Sequence, residues 1–506
     1  MTSAPSTRRH VHALIIGSGF AGLGAAIRLE KEGIDDFLVV ERGSEVGGTW
    51  RDNTYPGAAC DVPSHLYSYS FELNPRWSRS FSPQPEIQEY LRAVAAKYDV
   101  GRKHLFDTEV TAARWDAGAN RWQVDTTSGG FTADVLVPAV GALCEPALPD
   151  IKGLESFRGE LFHSARWNHD ADLAGKRVAI IGTGASAIQI GPAIAGDVAH
   201  LDVYQRTAPW VVPRNDRSYS KAERLAYRHV PYLQRLAREA IYWGREALVL
   251  GFAIEPKILK VAERVALRNI AHAISDPELR AKVTPNFQIG CKRILISNDW
   301  YPTLARENVD LVTDGIAEIR ENAVVTADGT VREVDAIVVA TGFHVTDSPT
   351  FERIFGKDGR SLAQTWDEIG QQAYKGAALT GFPNMLFVIG PNTGLGHTSM
   401  VIMIESHLNY LASALGTMRR QGIGTFEVRE DVLRAYNAKL QQRMKRTIWA
   451  TGGCASWYLD KHGNNTTLWP GFTFTFRQMT RRFDAAAYHL TTADQSAPAL
   501  REGIPA

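Results

Sequence analysis

The residues of this chain best suited to chemistry stand at the ends of two strand–loop–helix units. The first loop is Gly17-Ser18-Gly19-Phe20-Ala21-Gly22, with an apolar run over 11–16 leading in and a helical run over 23–31 leading out. In such a loop Gly17 turns the chain, Gly19 lets the backbone approach a pyrophosphate, and Gly22 lets helix and strand pack closely. The helix start then offers unpaired N–H groups and the positive end of its dipole to the phosphates. A second apolar run, 37–40, ends at Glu41, 24 residues after Gly17. A carboxylate there accepts hydrogen bonds from ribose hydroxyls and repels a 2′-phosphate. The unit therefore predicts FAD or NAD rather than NADP.

The pattern recurs 165 residues further on as Gly182-Thr183-Gly184-Ala185-Ser186-Ala187, between a strand over 177–181 and a helix over 188–195. Ala187 replaces the third glycine, which the pattern tolerates. The next strand, 201–204, ends at Gln205-Arg206-Thr207 with no acid, and Arg206 is 24 residues after Gly182. A cation beside a hydroxyl suits the 2′-phosphate of NADP. Two sites with opposite charge at the ribose predict hydride flow from NADPH to FAD.

Two later strands, 133–140 and 335–340, read as the crossings between the domains that hold these sites. The predicted fold is α/β, with two Rossmann-like dinucleotide-binding domains. The FAD domain is drawn from 1–150 and 341–506. The NADP domain, 151–340, is inserted between them and carries a helical excursion at about 219–274, rich in Ala, Leu, Arg and Glu. Beyond it, 385–390 reads as a buried strand and 400–415 as a helix whose start can face the flavin's pyrimidine edge.

Composition narrows the remaining possibilities. The 506 residues hold 56 basic and 55 acidic side chains, a net charge of +1, which gives no electrostatic case for nucleic acid or an anionic membrane. No apolar run approaches the ~18–20 residues that span a bilayer. The nearest, 247–254, reads as one buried helix face. Residues 1–12 are polar and do not resemble a signal peptide. Cys60, Cys144, Cys291 and Cys454 show no metal-ligand spacing and read as reduced thiols of a cytoplasmic protein. No metal site is expected.

Residues 157–168 read FRGELFHSARWN, with Phe157, Gly159, His163 and Trp167 in register. This resembles the fingerprint of type I Baeyer–Villiger monooxygenases, and its place just before the second glycine loop matches. Asn168 stands where the family carries Pro or Asp. Related N- and S-oxygenating flavin monooxygenases carry Tyr or Phe at the position of Trp167. Gly47-Gly48-Thr49-Trp50 resembles the second contact segment of two-dinucleotide flavoproteins, and the disulfide reductases among them add a cysteine pair that is missing here. Asp61 in GAACDV, Lys292 and Arg293 in GCKR, and Trp457 in SWY fall on family motifs. The chain looks most like the 4-hydroxyacetophenone and cyclohexanone types, over about residues 11–480, with a polar tail after that.

The resemblance implies site residues. FAD would be held by Gly17, Ser18, Gly19, Phe20, Gly22, Glu41, Gly48, Thr49, Trp50, Asp61, Tyr67, Val110 and Met400. NADPH would meet Gly182, Thr183, Gly184, Ala185, Ser186, Gln189, Arg206, Thr207, Lys292, Arg293 and Trp457. The implied cycle reduces FAD with NADPH, forms a C4a-peroxyflavin with dioxygen, and converts a ketone to an ester or lactone. Arg293, which cannot lose its proton, would stabilise the peroxide and the oxyanion, and Asp61 would hold Arg293 in place. Trp457, Trp50 and Met400 would keep water out. His163 and Gly159 suit a hinge for domain closure rather than proton transfer. The implied partners are a small ketone and dioxygen, with no nucleic acid and no membrane; the oligomeric state stays open. The rival readings are an N- or S-oxygenating flavin monooxygenase and a non-catalytic NADPH sensor.

Overall fold

The computed structural model describes residues 8–454 and 456–492. Its centre is a seven-stranded sheet. Strands β1 (Arg9–Ile16) and β2 (Phe37–Val40) flank helix α1 (Phe20–Lys31), and helix α2 (Thr49–Asp52) and helix α3 (Gln84–Lys97) follow before β3 (His104–Leu105). Strands β4 (Val110–Asp116), β5 (Arg121–Thr126) and β6 (Gly129–Pro138) complete the run. The sheet order is Ile354–Phe355, β4, β5, β6, β1, β2, β3, with β1 parallel to both β2 and β6. β2 is Phe-Leu-Val-Val with every residue buried, as a strand covered on both faces requires.

A second sheet is wholly parallel and lies entirely within residues 160–339. It comprises β7 (Glu160–His163), β8 (Arg177–Ile181) and β9 (His200–Tyr204), with Val309–Val312 and Ala336–Val339, and helix α4 (Ala187–Ile194) follows β8. The order is Val309–Val312, β9, β8, Ala336–Val339, β7. The α/β class and the paired Rossmann-type units of the sequence reading are therefore present.

The two glycine turns share one wiring. The Gly17 N–H donates to the Val40 carbonyl at 2.8 Å, and the Gly182 N–H donates to the Tyr204 carbonyl at 3.0 Å. Each loop passes under the strand that returns to its sheet. A Cβ on Gly17 would stand 2.9 Å from the Ala139 oxygen, and one on Gly182 would stand 2.6 Å from the Ala340 oxygen. The third position explains why alanine fits only the second loop. A Cβ on Gly22 would lie 1.8 Å from the Gly17 oxygen. At the second site the helix begins at Ala187 itself, two positions later in the pattern than α1, so the residue there stands in a different backbone setting.

The two chain crossings pair with one another. The Ala147 N–H donates to the Gly342 carbonyl at 2.9 Å, and the His344 N–H donates to the Glu145 carbonyl at 2.9 Å. His163 ends β7 against this seam, its ring edge-on to Phe343 at 5.6 Å. Gly159 is needed for close packing as well as for any hinge, since its Cβ would stand 2.3 Å from the Asp335 oxygen. Phe157 is buried, Trp167 packs edge-on to Phe162 at 4.8 Å, and Asn168 donates to Glu160 at 3.1 Å.

The helical excursion comprises α5 (Lys221–His229), α6 (Pro231–Glu246) and α7 (Lys260–Ala273). Pro231 and Pro256 each open a helix, where their missing N–H costs nothing.

Three expectations change. Residues 385–388 are buried but join the sheet only in part: Met385 makes a single parallel bridge with Leu136, the Val388 N–H donates to the Pro138 carbonyl at 3.0 Å, and the left-handed backbone at Ile389 (φ 69°) ends the run. Part of the expected tail is structured, because Tyr488–Thr492 pairs antiparallel with Ile423–Val428. The rest of the tail, and residues 1–7 of the N-terminal segment, lie outside the described residues. Residues 247–254 are not a buried face, since Leu248, Leu250 and Ile254 are exposed and only Val249, Gly251 and Phe252 are covered.

We predict that Gly22→Ala lowers stability by at least about 1–3 kcal/mol, the cost of overpacking. Gly184, with nothing within 4 Å of its would-be Cβ, should accept alanine within about 0.5 kcal/mol. Urea unfolding of both variants checks this, and equal losses would contradict it.

Candidate active site

The first nucleotide groove is shaped by backbone. Gly19 caps the N-terminus of α1 and faces Gly48, whose would-be Cβ lies 3.0 Å from the Gly19 Cα. A side chain at Gly48 would crowd the Gly19 backbone and would also need a left-handed φ of 54°. Glu41 is buried and already bonded: the Ser18 N–H donates to it at 2.7 Å, the Gly43 N–H at 2.8 Å and Arg51 at 2.8 Å. Arg51 escaped the sequence reading, although it directly follows Trp50. The Ser18 hydroxyl is buried without a partner, as a group awaiting a ligand would be. A glycine cradle, a carboxylate and an orphaned hydroxyl together fit the pyrophosphate and ribose of FAD.

Aromatic residues continue this wall. Phe20 packs against Tyr67 at 5.2 Å, and Trp50 donates from its indole to the Tyr67 hydroxyl at 2.9 Å. Val110 is buried at the start of β4, further along the sheet, and its carbonyl accepts from Arg353. Met400 opens the long helix Met400–Gln421, whose Ser399 cap accepts from the Val401 N–H. Just before that cap, the Thr398 hydroxyl and both His397 ring nitrogens are buried without hydrogen-bond partners.

The second groove is more open. Gly184 and Ala185 are exposed, and the Ser186 side chain makes no cap bond to α4. The Thr183 hydroxyl donates to the Thr207 carbonyl at 3.2 Å. Arg206 is exposed, and its charge adds to burial in lowering the Lys292 pKa. Two cations therefore converge with no acid between them, which fits a 2′-phosphate. Gln189 links the second groove to the 55–59 loop, accepting from Tyr55 at 3.0 Å and donating to the Ala59 carbonyl at 3.0 Å.

Between the grooves, Arg293 donates to Asp61 through Nε at 2.8 Å and Nη2 at 2.5 Å. Burial opposes the Asp61 charge, but Arg293 outweighs it and holds the carboxyl below its usual pKa. Asp61 in turn raises the Arg293 pKa. Tyr458 is buried beside this pair, and burial pushes its hydroxyl up to about 12. Trp457 packs edge-on to Tyr458 at 4.5 Å and stays half exposed. The structure thus gathers Asp61, Arg293 and Trp457 from three distant parts of the chain.

Known proteins resemble this chain in sequence and fold. The family model described as pyridine nucleotide-disulphide oxidoreductase matches residues 14–242. A Baeyer–Villiger monooxygenase of Streptomyces coelicolor is 54% identical over 97% of this chain and 94% of its own length. One of Pseudomonas aeruginosa is 50% identical over 99% and 96%. The chain belongs to the Baeyer–Villiger monooxygenase family. A solved structure of the OTEMO complex with FAD and NADP superposes with TM-score 0.85 at 27% identity, over 96% of this chain and all of that one. Membership of a monooxygenase family makes the chain an enzyme and sets aside the non-catalytic sensor.

One expectation for this monooxygenase fails. Cys291 and Cys454 form a disulfide across 163 residues, while Cys60 and Cys144 are free. The spacing held no sign of it, because only the fold brings the 288–293 loop onto the 452–454 turn. The Gln288 N–H donates to the Gly452 carbonyl there at 3.2 Å. The bond ties the loop of Lys292 and Arg293 to the segment of Trp457. Arg245, at the end of α6, is a second residue the sequence did not reveal, and its charge lowers the Asp61 pKa. Among the described residues, the cluster His200, Asp202 and Asp310 has the spacing of a metal site, but Arg332 closes it, 2.8 Å from each carboxylate.

Thiol titration of the unfolded protein should count two free thiols before reduction and four after it. Four before reduction would refute the pairing.

Proposed function

We propose that this enzyme binds FAD along the first groove and NADPH along the second, and inserts one oxygen atom of dioxygen into a ketone to give an ester or lactone. The observation that carries this reading is the Asp61–Arg293 pair between two nucleotide grooves of opposite charge. When bound, FAD supplies the activation of dioxygen and NADPH supplies the hydride.

The chain's own residues do the rest. Ser18, Gly19, Gly48 and Glu41 hold the first nucleotide, and Gly22 keeps α1 tight against β1. Arg206 and Lys292 grip the 2′-phosphate of the second. Arg293 is a fixed cation for the oxyanion that develops when the ketone carbonyl is attacked. Asp61 is a positioning residue: its two-point contact orients the guanidinium plane. Trp50, Met400 and Trp457 exclude water, which protects the oxidant from wasteful decay. Residues 151–340 move as the inserted domain, and the seam at His163, Phe343 and Ala147 is where that motion is absorbed. The supply of NADPH favours the cytoplasm, where the Cys291–Cys454 bond would have to resist reduction. A sulfide or amine oxygenase would not need a cation held for an oxyanion, which favours the ketone reading.

Arg293→Ala should still accept hydride from NADPH but lose roughly 10²–10³-fold in ester formation. Mass analysis of the product under labelled dioxygen reads this, and appreciable ester from the variant would overturn the role. Arg206→Ala should reduce the preference for NADPH over NADH by roughly 10- to 150-fold, the worth of one charged hydrogen bond. Equal losses with both nucleotides would show that Arg206 does not read the 2′-phosphate.

A further inference from the structure

Helix α6 is built with its polarity reversed. Tyr232, Leu236 and Trp243 recur on one face and are 65%, 47% and 56% exposed. Gln234 and Arg238 occupy the opposite face and are 2% and 7% exposed, and Glu246 at the helix end is 1% exposed. The buried polar groups are satisfied. Gln234 donates to the Asn74 carbonyl at 2.7 Å, Arg238 donates to the His65 carbonyl at 2.7 Å, and Glu246 accepts from the Thr473 hydroxyl at 2.9 Å. These bonds fix the helix orientation, so the apolar stripe must face outward.

A second exposed apolar set lies further along the excursion. Ile258, Val261 and Val265 are exposed along α7 and the turn before it. Of the twenty-one large apolar side chains exposed among the described residues, thirteen fall within 219–274. A monomer in water rarely gathers so many, and such a patch marks a contact surface.

Charge selects the partner. Residues 219–274 hold ten Lys and Arg against five Asp and Glu, in a chain with a net charge of only +1. Lys257, Lys260, Arg264 and Arg268 are exposed and border the stripe of α7. Helices with an apolar face rimmed by exposed cations lie flat in the headgroup region of a bilayer. A second copy of the chain would press one positive face on another, which is repulsive. Anionic lipid meets both the apolar stripe and its cationic rim.

We propose that the exposed apolar side chains of α6 and α7, with the cations that border those of α7, dock on the surface of a bilayer that carries anionic lipid. No helix of the described residues is long and apolar enough to cross a membrane, so the contact is peripheral. The near-neutral total charge conceals it, because the excess of cations is local.

The test is flotation of the flavin-loaded enzyme with vesicles of phosphatidylcholine, with and without phosphatidylglycerol. The enzyme should float with the anionic vesicles, and added salt should release it. Replacing Lys257, Lys260 and Arg264 by Gln should weaken binding about 100-fold, at about fivefold per cation. Trp243→Ser with Val261→Ser should abolish flotation while leaving NADPH oxidation with a water-soluble ketone unchanged, which verifies folding. No flotation, equal flotation with neutral vesicles, or binding indifferent to these substitutions would overturn the proposal. So would a dimer in light scattering that the same apolar substitutions dissolve, since the occupant would then be a second copy.

Discussion

The bond from Arg293 to Asp61 is the contact on which the site depends. Asp61 belongs to a loop beside the first sheet, and Arg293 to a loop that follows the helical excursion. With 27% and 40% of their side chains still accessible, solvent screens the pair, and ion pairs of this kind add at most about 1 kcal/mol to stability. Its importance is positional. Each charge shifts the other's pKa toward ionisation, so the cation stays a cation and keeps its orientation. Every residue that brings the two loops together serves that geometry.

Several contacts do so. Gln189 clasps the loop before Asp61 through Tyr55 and Ala59. Arg214 reaches the Phe81 carbonyl at 3.2 Å, and Asp216 accepts from the Ser80 hydroxyl at 2.9 Å. The inserted part of the chain therefore grips the first part through side chains and also through backbone, where the Ser80 N–H donates to the Arg217 carbonyl at 2.9 Å and the Tyr219 N–H to the Ser78 carbonyl at 2.8 Å. On the Arg293 side, the Cys291–Cys454 bond is covalent and joins two loops that secondary structure would leave independent. One side of the site is held by hydrogen bonds and the other by a covalent bond.

The helical excursion links this site to the outside. Its buried face carries Arg238, Arg245 and Glu246, whose partners are carbonyls, a hydroxyl and the field of the Asp61–Arg293 pair. Its outer face is apolar and cationic. A helix that spends its polar side on the protein must present its apolar side elsewhere, so the site and the outer surface constrain the same few turns.

The sequence by itself determined what depends on local periodicity and local charge. Both glycine loops, the strands beside them, Glu41, Arg206 and the run from Phe157 to Trp167 were legible, because a glycine loop is made from consecutive backbone and the residue that ends the next strand follows at a fixed distance. Asp61, Lys292, Arg293 and Trp457 were legible only by resemblance, since no spacing relates them. Tertiary structure alone decided what depends on which distant segments meet. It paired Cys291 with Cys454, turned Gln189 toward the neighbouring loop, brought Arg245 beside the site and set residues 247–254 partly in solvent. Composition counts charges and apolar side chains without regard to where they point. The direction a helix faces is fixed by the hydrogen bonds its buried side can find, and only the folded chain supplies those.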